Sequence, residues 1–141
     1  MNINPKSAYY PDSAFVAPDG VTFIQETYDI GRCADLSVAI PGGVIFASDE
    51  ISKRTVKMNV AEKGKLSGLK EILPRGETST AVDKEGNLYV ADGQIFVYDM
   101  DFNEIKRINL PERPISMTLG GKDGNTLFVT TVNSFFGIKV K

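Results

Sequence analysis

The feature that most constrains this chain is a recurring unit: a short β-rich run, a glycine-bearing turn, and a second β-rich run. Val38-Ala39-Ile40 leads through Pro41-Gly42-Gly43 into Val44-Ile45-Phe46-Ala47-Ser48. Thr80-Ala81-Val82 leads through residues 83–87 into Leu88-Tyr89-Val90-Ala91, and Met117-Thr118-Leu119 leads through residues 120–125 into Thr126-Leu127-Phe128-Val129-Thr130. Glycine supplies the positive φ that tight hairpins need. Gly43, Gly86 and Gly124 stand 43 and 38 residues apart, and Asp49 and Asp92 each close a second strand. A period near 40 with about four strands per unit is the mark of a β-propeller blade. No amphipathic helical pattern competes with it.

Between the hairpins lie two further strands per unit. They are Arg54 to Val60 and Leu66 to Leu73 in one unit, and Gln94 to Tyr98 and Glu104 to Leu110 in the next. An earlier hairpin, Ala14 to Ala17 and Val21 to Gln25 around Pro18-Asp19-Gly20, precedes Gly43 by only half a period. It reads as the outer pair of a preceding blade. Ser134 to Lys141 adds one last strand. The expectation is an all-β partial propeller of about thirteen strands in about three blades, where closed propellers have four to eight. The single domain 1–141 divides at about 13–35 (outer hairpin), 36–78 (blade), 79–114 (blade) and 115–141 (incomplete blade). A two-sheet sandwich is the structural rival. Open blade faces are apolar, so the expected partner is a second copy or a missing propeller half. Phe135 and Phe136 are adjacent and point to opposite sheet faces, so at least one should pack on a neighbouring sheet.

Composition excludes several chemistries. The 141 residues contain no His and one Cys, which removes Ser-His-Asp and Cys-His catalysis, an internal disulfide and zinc sites built on two cysteines. Sixteen basic and 18 acidic residues give a net charge of −2, unlike the basic footprint of a nucleic-acid binder. No apolar run suggests a membrane span, and Met1-Asn2-Ile3-Asn4-Pro5-Lys6 lacks a signal-peptide pattern. The reading is cytoplasmic if the sequence is complete, and Cys33 is compatible with a reducing compartment.

Residues 78–91, Thr-Ser-Thr-Ala-Val-Asp-Lys-Glu-Gly-Asn-Leu-Tyr-Val-Ala, resemble the most recognisable stretch of the senescence marker protein/gluconolactonase/luciferin-regenerating enzyme family, the regucalcin-like lactonases. So do Leu110-Pro111-Glu112-Arg113-Pro114 with residues 119–131, and Lys53-Arg54-Thr55-Val56 through Gly64-Lys65-Leu66-Ser67. The resemblance covers about residues 35 to 141 and implies the C-terminal half of a six-bladed propeller. It implies a gluconolactonase-type hydrolase acting on a carboxylic ester, a small sugar-type lactone. It also implies a divalent cation, often calcium, that polarises the lactone carbonyl and activates water. The family's Pro-Asp-Gly falls on Glu77-Thr78-Ser79, which puts its Asp at Thr78 with Glu77 alongside. Its Pro-Asn-Gly falls near Cys33-Ala34-Asp35, without the Asn. The candidate metal ligands are therefore Asp35, Glu77 and Thr78.

Loops ahead of the innermost strands should face the channel mouth, which makes Arg75 and Arg113 candidates for clamping an anionic substrate. Each candidate has a structural alternative. Asp35 and Glu77 can accept turn hydrogen bonds, and the arginines can bridge blades. Asp83, Asp92 and Asp123 read as turn and capping residues, Lys63, Lys65 and Lys70 as a solvated face, and Cys33 as a packed small side chain. No residue is assigned a catalytic role. The rival function is a non-catalytic propeller used as a binding or assembly module.

Overall fold

The structure, a computed structural model, describes residues 14–16, 23–25, 29–37 and 42–141. Among these residues thirteen strands form four antiparallel sheets. The first sheet pairs β1 (Ala14–Val16) with β2 (Phe23–Gln25). The second is β3 (Cys33–Leu36), β4 (Val44–Asp49), β5 (Arg54–Val60) and β6 (Leu66–Leu73) in sequence order. The third is β7 (Ser79–Val82), β8 (Leu88–Asp92), β9 (Gln94–Tyr98) and β10 (Glu104–Ile108), and the fourth is β11 (Ser116–Gly120), β12 (Thr126–Thr130) and β13 (Phe135–Lys139). No helix long and apolar enough to cross a membrane occurs among the described residues.

Each sheet is a meander of consecutive strands, and the described turns carry their own chemistry. Asp83 accepts from the amides of Glu85 and Asn87 at 2.9 Å each, and Gly86 follows at φ 88°. Asp99 repeats the pattern with Asp101 and Asn103, also at 2.9 Å. In the first hairpin Gly42, rather than Gly43, takes the positive φ. The innermost strand of the second sheet also differs from expectation. β3 begins at Cys33, and its ladder runs through Asp35↔Ser48 and Leu36↔Ala47 with a register shift after Cys33. Asp35 therefore lies on a strand and not in a loop. Val38-Ala39-Ile40 and Pro18-Asp19-Gly20 lie outside the described residues.

Alternation gives the second and third sheets two apolar faces, and the second, third and fourth sheets stack through such faces. Leu88, Val90 and Tyr98 of the third sheet meet Phe46, Ile72 and Leu73 of the second. The opposite face of the third sheet, Tyr89, Ala91, Ile95 and Val97, meets Met117, Leu127 and Val129 of the fourth. Val90, Ile95, Leu127 and Val129 are fully buried, each contributing about 1.5–3 kcal/mol. The other face of the second sheet buries Ile45, Ala47, Val56 and Met58 with Ile30. Phe136 packs against the core of the third and fourth sheets, while Phe135 is 67% exposed on the other side. This face-to-face stacking excludes the two-sheet sandwich.

Candidate functional site

β7 lies against both β3 and β11, so the innermost strands of three successive sheets meet along one line. A relay of hydrogen bonds fastens them. The Met117 amide on β11 donates to Ser79 Oγ on β7 at 3.0 Å, and Ser79 Oγ donates to Asp35 Oδ2 on β3 at 2.7 Å. The Thr80 amide donates to the same Asp35 oxygen at 2.9 Å. Sequence reasoning singled out Asp35 but missed Ser79. Its only signal was its place beside the Glu77-Thr78 pair.

Connections ahead of β7 and β11 and the turns β4–β5 and β8–β9 share one rim, as alternate links of a meander must. Glu77 is the hub of that rim. Arg113, ahead of β11, grips it bidentately, with Nη2 to Oε1 at 2.8 Å and Nε to Oε2 at 3.1 Å. Lys53, from the β4–β5 turn, pairs with Oε1, and the Gly93 amide from the β8–β9 turn reaches Oε2 at 3.3 Å. The Lys53 bond most of all, then Arg113, holds the Glu77 carboxyl below its usual range against the opposing effect of burial. Thr78 Oγ1 donates to the Pro114 carbonyl at 2.9 Å, a second tie between the same two loops.

Arg113 thus bridges neighbouring sheets through a carboxylate of its own chain. Arg75 is turned elsewhere. Its guanidinium carbon sits 3.7 Å from the Phe96 ring centroid, and Nη1 reaches Tyr98 Oη at 3.1 Å and Glu104 at 3.4 Å. It braces the outer strands of the third sheet. The oxygens of Asp35, Glu77 and Thr78 are the hard donors that calcium takes, but they are too few to fill its shell of about 6–8. Glu77 already shares both of its oxygens. Among the described residues no group of three or more Asp, Glu, Cys or His side chains is placed to hold a metal.

Stacked antiparallel meanders with tied innermost strands define a β-propeller, here a partial one. The pattern of the SMP-30/gluconolactonase/LRE-like region matches residues 41–133, and the chain belongs to that family. No curated protein matches the sequence significantly. Among solved structures, a gluconolactonase from Xanthomonas campestris superposes with a TM-score of 0.75 at 18% identity, covering 89% of this chain and 43% of the other. Regucalcin from Agrobacterium tumefaciens, a calcium-binding protein, gives 0.69 at 21% identity, covering 86% and 44%. A luciferin-regenerating enzyme gives 0.71 at 16%, covering 84% and 43%. At these identities the likeness is one of fold. The chain spans less than half the length of each of these structures.

Proposed function

We propose that this chain is half of a gluconolactonase-type propeller, hydrolysing sugar-type lactones only when a second half-propeller completes the channel. The family match, over a chain that spans less than half of its structural neighbours, carries this reading. The proposed second half is either another copy of the chain or the remaining half of a six-bladed propeller. Calcium bound at the rim would polarise the lactone carbonyl. Asp35, Glu77 and Thr78 would offer it oxygens, with the rest of its shell from water and the second half. Glu77 would then exchange Lys53 and Arg113 for the cation. Arg113, so released, would be available to an anionic substrate group, whereas Arg75 is held on Phe96.

A non-catalytic assembly module is the second reading. The observation favouring it is that Glu77, Thr78 and Asp35 are each bonded within the chain. Gluconolactone hydrolysis, followed against chain concentration with calcium or chelator, separates the two. The lactonase reading expects no turnover above buffer from dilute single chains, and chelator-sensitive turnover that rises as chains associate. Absence of turnover from an associated, calcium-loaded sample would leave the assembly module.

A further inference from the structure

Ser48 Oγ and Thr80 Oγ1 are buried with no protein hydrogen-bond partner. Their residues are 0% and 3% exposed. Buried polar groups in native proteins are nearly always bonded to protein or to ordered water, so two orphans in one fold call for a cause.

The ladder registers bring them together. Ser48 stands opposite Asp35 across β3 and β4, so both side chains leave the second sheet on the same face. Asp35 Oδ2 reaches Ser79 and the Thr80 amide, which makes that face the one turned to the third sheet. Thr80 stands opposite Val90, and Val90 packs with Phe46 of the second sheet. Thr80 therefore points back across the same seam. β4 lies against β7, and Asp35 and Thr80 line a cavity of about 150 Å³ bounded by β3, β7 and β11, of which Ser48 is not a lining residue.

A buried water needs room and about 2–4 polar partners. The seam supplies three: the hydroxyls of Ser48 and Thr80 and the carboxylate of Asp35. We propose that it is a binding site for one ordered internal water. The water donates to the Asp35 carboxylate and bridges the two hydroxyls, joining the second and third sheets where their ladders do not reach.

Thr80→Val tests this, because it removes the hydroxyl and keeps the shape. In a dry seam the change deletes an unsatisfied group and leaves the melting temperature unchanged or raised. With the water in place it strands the water and Ser48, and the expected fall is about 4 °C or more for a chain of this size. Ser48→Ala should act likewise, and the double variant should fall by less than the two single shifts combined, since both remove one bridge. On the unaltered chain, the Thr80 amide should show a cross-peak to a long-lived water in rotating-frame NMR. A stable Thr80→Val variant and no such cross-peak would overturn the proposal. So would a melting temperature that depends on sodium against potassium at constant ionic strength, which would assign the seam to a cation.

Discussion

At the scale of single residues, Asp49 carries the heaviest duty. Its carboxylate is fully buried at the end of β4 and accepts from the amides of Gly31 at 3.1 Å, Arg32 at 3.2 Å and Ser52 at 3.3 Å, and from Arg54 Nε at 3.2 Å. Burial alone would push its pKa up. The amides of Gly31, Ser52 and Arg32 and the Arg54 guanidinium outweigh burial and hold it below the ordinary carboxylate range. A carboxyl depressed in the folded state contributes stability that is present above the unfolded pKa and lost as pH falls through the folded one. Stability should therefore fall on acidification below about pH 4, and Asp49→Ala should flatten that part of the pH profile. The same substitution at neutral pH should cost about 3 kcal/mol or more, since it leaves the amides of Gly31, Arg32 and Ser52 without their acceptor, while Arg54 keeps Glu71 and the Asp29 carbonyl; urea denaturation gives the number.

At the scale of elements, the link into β7 is pressed against β5. A Cβ on Gly76 would stand 2.8 Å from the Arg54 carbonyl oxygen and 2.5 Å from Thr55 Oγ1, the hydroxyl that donates to the Arg75 carbonyl at 2.7 Å. Gly76→Ala should cost about 1–3 kcal/mol through backbone displacement, read as a lower denaturation midpoint at unchanged slope. Such strands were largely legible in the sequence. β5, β6, β9 and β12 occupy the ranges that alternation and turn glycines define, because both signals are local. β3 was not legible. Its residues alternate between half-buried and exposed, and a register shift breaks its ladder, so it carries no clean apolar period. The candidate site was legible as a set of loops but not as bonds. Glu77 meets Lys53 and Arg113 from 24 and 36 residues away, and no local pattern marks such a meeting.

At the scale of the whole molecule, one position recurs in each middle strand. Phe46 on β4 packs toward the third sheet, and Tyr89 on β8 packs toward the fourth. Phe128 on β12 points away from Leu127 and Val129, onto the far face of the fourth sheet. Its ring lies over Gly120 and Gly137 and meets the exposed Phe135 ring at 5.9 Å between centroids. The equivalent rings are each covered by a further sheet. If a second copy covers Phe128, sedimentation should give about twice 15.4 kDa at high concentration. Phe128→Ser should shift the chain to single copies with little change in the unfolding of each. A lone 15.4 kDa species at every concentration would count against pairing.

The Met117–Ser79–Asp35 relay also bears on how the chain finds its fold. Every sheet is a run of consecutive strands, so each can form from short-range contacts alone. The relay spans 38 and then 44 residues and exists only after three sheets have docked. Hydrogen exchange at the Met117 amide therefore reports the docking of preformed sheets, whereas exchange along β8 reports the sheets themselves.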